Sequence, residues 1–339
     1  MSIFATLLTI FFLPTQFYVT GLFLKSPVQA PAAEKVEGAS DHKVEKNNQS
    51  FKEAIADTKK NDTALKESGF IPQRAKDYRD TRVPASSSVV IDVDSGTIMH
   101  YDKGRAHMPI ASLTKIMTAV LTMENVKNLD EVVTIDSEAI STNGTKVGCP
   151  TSTLCDSERL HDGEQITAGD LLKAMLLDSA NDAAIALGKH IAGSQEAFAD
   201  MMNKKAKELN LGDSHFCNPS GLDADGCYSS AYDLARIAAY SMKYDRIWKI
   251  MEMEETSVRS CDGKYEHMLK NTDMLLGQIP NILGGKTGFT YNAGKSLMLA
   301  AADPATEKHK IIAVLLNDNN RWDDMRSLID WTFANYDWK

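Results

Sequence analysis

Cysteine is scarce in this 339-residue chain, and its five copies (Cys149, Cys155, Cys217, Cys227 and Cys261) never fall into C-x-x-C pairs. That spacing removes the usual structural zinc frameworks, and no metal is expected. Positive charge is also short: 37 Lys and Arg stand against 46 Asp and Glu, a formal net charge of −9. Beyond residue 83 the imbalance is 25 against 36, which argues against a phosphate-backbone binder, so no nucleic-acid partner is expected. No internal repeat is present, and solenoids drop out with it. Lys and Arg are missing altogether from the first 24 residues.

Those 24 residues are apolar and long enough to cross a bilayer, for which about 20 suffice. Pro14 and Gly21 interrupt them, and a polar stretch follows, so a buried core helix is a poor reading. Ala30-Pro31-Ala32 fits a small-residue cleavage site before Ala33. Residues 1–30 are therefore read as a signal peptide or N-terminal membrane anchor, and the protein as exported and extracytoplasmic. With no cysteine near that site, a lipoprotein is not indicated. The close pairs Cys149/Cys155 and Cys217/Cys227 suit local disulfides in an oxidising compartment, with Cys261 left over.

Residues 31–83 turn to Lys, Glu, Asp, Asn and Ser, with 11 basic against 10 acidic residues. Such a stretch buries too little apolar area to offset its ordering entropy and reads as a disordered polar linker. Folded sequence is expected over 84–339. Residues 89–93 and 97–101 flank Asp94-Ser95-Gly96 and predict a strand hairpin. A buried helix is expected to open at Ser112, with further helices over 171–187, 198–209 and 232–250. Strands return at 282–290, 296–302 and 310–317, and an apolar spacing of helical period follows Arg321. The order implies an α/β domain: an antiparallel sheet flanked by helices, with an all-helical insertion.

Three short motifs lie on these elements: Ser112-Leu113-Thr114-Lys115, Ser179-Ala180-Asn181 and Lys286-Thr287-Gly288. Residues three apart share a helix face, so Ser112 and Lys115 would stand side by side. A serine needs a neighbouring base, and a lysine serves only if burial or a second cation lowers its pKa; Lys286 is a candidate for that cation. A hydroxyl at Ser179 can relay a proton, and Asn181 can bond a substrate peptide group. Gly284 to Gly288 let a ligand backbone approach, and the cation and hydroxyl between them suit a terminal carboxylate. Taken singly, each motif is better read as a cap, a helix junction or a Gly-rich turn. Ser40-Asp41-His42-Lys43 shows the risk, since it matches S-x-x-K inside the linker.

Their order, on suitable elements, is the signature of penicillin-binding proteins and class A β-lactamases. Over residues 85–338 the chain resembles the serine D-alanyl-D-alanine carboxypeptidases, the low-molecular-mass penicillin-binding proteins of β-lactamase/transpeptidase-like fold. Asn181-Asp182-Ala183-Ala184, Asn218-Pro219-Ser220-Gly221-Leu222 and Asn271-Thr272 add to that resemblance. It implies that Ser112 attacks the penultimate D-alanine carbonyl with Lys115 as general base. Ser179 would assist proton transfer, Lys286 would tune the field, and Thr287 would bind the C-terminal carboxylate. Asn181, Gly288 and Phe289 would line the substrate site, with Ser112 and Phe289 N–H groups as oxyanion hole and Arg321 as a further carboxylate ligand. Peptidoglycan stem peptides are the implied partners, β-lactams the covalent inhibitors, and no cofactor is needed.

Departures from the family pattern set further expectations. The chain closes after its last helix, so the family's C-terminal β-sandwich and amphipathic helix are expected to be missing, leaving membrane contact to an uncleaved N-terminus. Residues 149–162 read as an atypical loop near the cleft. A class A β-lactamase would need an E-x-x-x-N element between Asn181 and Lys286, and none occurs. A D,D-endopeptidase using the same machinery and a non-catalytic peptidoglycan-binding scaffold are the competing readings.

Overall fold

The computed structural model describes residues 71–148 and 159–338. Strand β1 (Pro72–Arg74) comes first, then β2 (Ser87–Asp92) and β3 (Ile98–Asp102), the expected hairpin. A 3₁₀ turn at Ala111–Thr114 leads into α1 (Lys115–Asn125). The insertion runs through β4 (Val132–Thr134), α2 (Ser137–Ser141), β5 (Gln165–Thr167), α3 (Ala168–Leu177), α4 (Asn181–Ala192), α5 (Gln195–Glu208), α6 (Ala231–Ser241) and α7 (Asp245–Met251). A second hairpin, β6 (Glu255–Arg259) and β7 (Glu266–Lys270), precedes β8 (Ile282–Thr290), β9 (Gly294–Ala302) and β10 (Lys310–Leu316). Helix α8 (Arg321–Asn335) and β11 (Tyr336–Trp338) end the chain's described part.

The main sheet has the order β3-β2-β10-β9-β8, antiparallel throughout. Side chains of a strand alternate between faces, and here both faces are covered. Val89, Ile91, Met298, Ala300, Ile312 and Val314 pack with the helical insertion. Their neighbours Val90, Leu297, Leu299, Ala301, Ile311 and Ala313 pack under α8 through Met325, Leu328 and Ile329. That double burial explains why these strands read as continuous apolar runs. Strand β8 sits at the end of the order, so it presents an edge toward the helical part.

Several expectations shift. The helix foreseen from Ser112 starts as a 3₁₀ turn, because Ala111 takes φ +50°. The single helix expected over 171–187 breaks between Leu177 and Asn181, where Ser179 has φ +61°. The 232–250 helix likewise divides at Met242–Tyr244; Ser230 caps its first half, accepting from Asp233 N. The β6–β7 hairpin lacks the length and apolar bias that flag a strand; it forms because Val258 and Leu269 face the core while its other side is exposed. Residues 72–74, inside the stretch read as linker, form β1 by pairing with β11. The Cys217–Cys227 disulfide is present, and Cys261 is free and exposed. The suggested Cys149/Cys155 pair lies outside the described residues. Among the described residues no helix is long and apolar enough to cross a membrane.

Candidate active site

The first motif is placed by a collision of turns. Ala111 is held at positive φ, and a Cβ on Gly221 would lie 2.0 Å from the Ala111 carbonyl oxygen. Only glycine allows that approach, at a φ of +81° that also favours it. The 218–222 turn is fixed by Asn218, whose Oδ1 accepts from Ser220 N, Ser220 Oγ and Gly221 N, and whose Nδ2 donates to Leu222 O. Thr118 Oγ1 donates to Pro219 O, tying this turn to α1. The turn delivers the Ser220 carbonyl to Lys115.

Lys115 is fully buried. Its Nζ lies 2.8 Å from Ser112 Oγ, 2.7 Å from Asn181 Oδ1 and 2.6 Å from Ser220 O. Burial pushes its pKa well down, the Lys286 charge pushes it further, and Asp182 opposes both. Lys286, also buried, is lowered to about 7 by burial and then by Arg321, with Asp273 and Asp178 opposing. Its Nζ donates to Thr287 O. Two buried lysines and an arginine are thus set against the buried carboxylates Asp178, Asp182 and Asp273.

The second motif occupies the break between α3 and α4. Ser179 is buried in the left-handed region, where a non-glycine residue is strained. Thr145 Oγ1 donates to its carbonyl at 2.6 Å. Asn181 is more committed than the sequence suggests: it accepts from Lys115 and donates to Asn143 O at 2.7 Å. One Nδ2 hydrogen and one Oδ1 lone pair are left for a substrate peptide group.

Strand β8 carries the third motif to the same place. A Cβ on Gly288 would meet Ile110 O at 3.0 Å and Ala111 Cβ at 3.4 Å, so the glycine lets β8 close on the Ser112 turn. Thr287 Oγ1 is 2.7 Å from Thr272 Oγ1. Phe289 (56% exposed) and Tyr291 (97% exposed) form an edge-to-face pair in solvent just past Gly288. Arg321 does not extend freely as a carboxylate ligand would: Nη1 donates to Gly288 O and Ser296 O, bracing β8 against β9. Its charge still reaches Lys286.

The structure therefore brings Ser112, Lys115 and Asn181 into one hydrogen-bonded cluster, with Lys286 electrostatically joined to it. Sequence reasoning gave no role to Ser220 O, Thr272, Asp178 or Asp182. The turn chemistry of Asn218-Pro219-Ser220-Gly221 was the signal available for the first. The arrangement offers a nucleophile beside a nitrogen whose proton affinity is reduced, with Lys286 close enough to act on it electrostatically and Arg321 on Lys286 in turn. A cavity of about 180 Å³ continues the site past Ala111 and Thr114, between Leu222, Asp223 and Asn292.

Residues 73–320 match the family described as D-alanyl-D-alanine carboxypeptidase. A D-alanyl-D-alanine carboxypeptidase, DacF, of Bacillus subtilis is 33% identical over 275 residues, covering 80% of this chain and 67% of its own. A D-alanyl-D-alanine endopeptidase of Pseudomonas aeruginosa is 32% identical over 216 residues, 63% of this chain and 66% of its own. The chain thus spans about two thirds of the length of these curated relatives. The crystal structure of a D-alanyl-D-alanine carboxypeptidase from Mycobacterium tuberculosis superposes with a TM-score of 0.67 at 29% identity, covering 77% of this chain and 96% of the other.

Proposed function

Because the chain belongs to the D-alanyl-D-alanine carboxypeptidase family, we propose that it is a serine peptidase removing the terminal D-alanine from peptidoglycan stem pentapeptides. The observation that carries this reading is the 2.8 Å contact between Ser112 Oγ and the buried Lys115 Nζ. Neutral Lys115 takes the hydroxyl proton as Ser112 Oγ bonds the penultimate D-alanine carbonyl. Ser112 and Phe289 N–H groups receive the oxyanion. The C–N bond then breaks, and the departing D-alanine nitrogen takes a proton from Lys115 with help from Ser179. Water attacks the Ser112 ester, giving up its proton through the same pair, and the shortened peptide leaves.

Thr287, with Lys286 behind it, receives the substrate's C-terminal carboxylate. Gly288 lets the peptide lie along the edge of β8, and Asn181 bonds it from the opposite wall. The Arg321 charge contributes attraction for the same carboxylate. β-Lactams acylate Ser112 by the same route. The protein works outside the cytoplasm, with residues 1–30 as signal or anchor, a polar tether after them, and the catalytic domain to residue 339.

A second reading, a D,D-endopeptidase acting on crosslinks, is favoured by the matched relative of that name. Both are tested by incubating the protein and its Ser112→Ala variant with muropeptides containing pentapeptides and D,D-crosslinked dimers, with products read by mass. Free D-alanine from pentapeptides, absent with the variant, supports the carboxypeptidase. Loss of dimers alone supports the endopeptidase. No change in either pool sinks both.

A further inference from the structure

Asp178 is buried one residue before Ser179, and the reaction above makes no use of it. Its carboxylate is spent on two backbone N–H groups from distant parts of the chain. Oδ1 accepts from Lys270 N at 2.7 Å and Oδ2 from Gly148 N at 2.8 Å. Lys270 ends β7, and two residues on stands Thr272, whose N–H donates to Leu177 O and whose hydroxyl meets Thr287 Oγ1. Gly148 closes the segment in which Thr145 Oγ1 donates to Ser179 O and Thr145 O accepts from Asn181 N. One side chain therefore joins the turn carrying Ser179 to the support of Asn181 and to the support of Thr287.

That junction is where the chain is strained. Ser179 sits at φ +61°, a conformation that persists only when its surroundings over-determine it. A carboxylate is suited to the task because both of its oxygens accept. An amide of the same shape would turn an NH₂ toward one of the two N–H donors. The charged groups acting on Asp178 are Asp182 on α4 and Lys286 on β8; β7 and the 145–148 segment present backbone N–H groups to it.

We propose that Asp178 is a positioning residue for the acyl transfer described above, on which reading this inference rests: by clamping Gly148 and Lys270 to the strained Ser179 turn, it sets where Ser179 stands relative to Ser112 and Thr287. The carboxylate acts through these neighbours and touches no reacting atom. Its negative charge also favours the ammonium form of Lys286, so the same residue contributes to both geometry and field.

The test is Asp178→Asn in the whole protein, with D-alanine release measured against pH and penicillin labelling of Ser112 followed by mass. A folded variant should lose about tenfold or more in kcat, as small misplacements of reacting groups do, with KM changed by less than about threefold. Because Lys286 has lost an anionic neighbour, the basic limb of the kcat/KM profile should move to lower pH; a purely structural defect would leave it in place. Wild-type kcat in the folded variant overturns the proposal, as does a loss of rate with an unmoved basic limb. If Asp178→Asn does not fold, Lys270→Pro decides, since it deletes one N–H donor and leaves the Asp178 carboxylate in place, with Lys270→Ala, which keeps the N–H, as the control for the lost lysine charge. Reduced kcat with an unmoved limb then supports the clamp, and wild-type kcat overturns it. A wild-type protein left unlabelled at Ser112 would sink the acyl-enzyme reading and this inference with it, an outcome distinct from labelled wild type beside an unimpaired variant.

Discussion

Lys115 Nζ stands 2.8 Å from Ser112 Oγ while Asn181 Oδ1 and Ser220 O occupy its other hydrogen-bonding directions. The nitrogen is therefore aimed before substrate arrives, and its own burial beside Lys286 reduces its affinity for the proton. Lys115→Met keeps the stem and removes the base. Acylation of Ser112 by penicillin should slow by about 10²–10⁴-fold, read as the rate of adduct formation by intact mass.

Arg321 and Asp178 act on Lys286 with opposite signs. Burial lowers the Lys286 pKa to about 7, and the Arg321 charge adds to that lowering. Arg321→Gln removes that charge, so the Lys286 pKa should rise and the basic limb of kcat/KM should move up by about half a unit or more. A limb that moves down, or not at all, would separate Lys286 from that ionisation.

Asp182 is buried at the start of α4, and burial raises its pKa from 3.8 to about 6. Its folded value lies above its unfolded one, so folding favours the protonated form: the contribution is greatest below pH 4 and is lost as pH rises through 6. Asp182→Asn has no such ionisation. Denaturation from pH 4 to 6 should show the stability difference moving in the variant's favour, by up to about 3 kcal/mol.

Gly221→Ala tests the close approach that exposes Ser112. The new Cβ would fall 2.0 Å from Ala111 O at a φ that side chains rarely adopt. We expect a loss of about 2 kcal/mol or more, and weaker penicillin labelling because the Ser112 turn must shift. Retained labelling at full rate would show that the two turns move independently.

The Cys217–Cys227 disulfide closes the loop that contains Ser220 and Gly221. Chain entropy for a loop this short gives about 2–3 kcal/mol. The double variant Cys217→Ser/Cys227→Ser should lose about that much in urea, and reduction of the wild type should match it.

Strands β9 and β10 were readable because each is a long apolar run, joined through Asp303-Pro304, and β2 and β3 because Asp94-Ser95-Gly96 separates them. The helix breaks were not. Leu171 to Leu187 is apolar on both sides of a polar Asp178–Asp182 stretch, and that stretch alone does not announce that Ser179 takes positive φ, with Thr145 bonding its carbonyl and Asp178 bonding Gly148 and Lys270. The β6–β7 hairpin has a different difficulty: its strands are short and half exposed, with few apolar residues facing the core. That Arg321 bonds the Gly288 and Ser296 carbonyls is not legible in the sequence, because those contacts join segments far apart in the chain.

By itself the sequence determined which groups are available and in what order: the motifs, the i, i+3 spacing that seats Lys115 beside Ser112, and the glycines that permit close approach. The tertiary structure decided everything that depends on contact between segments far apart in the chain. Burial of Lys115 and Lys286, the three oxygens around Lys115 Nζ, and the Asp178 carboxylate beside Ser179 all arise from α1, α4, β7, β8 and the 218–222 turn meeting at one point. Proton affinity and strain are properties of that meeting, since desolvation and opposing charges exist only once the chain has closed around them.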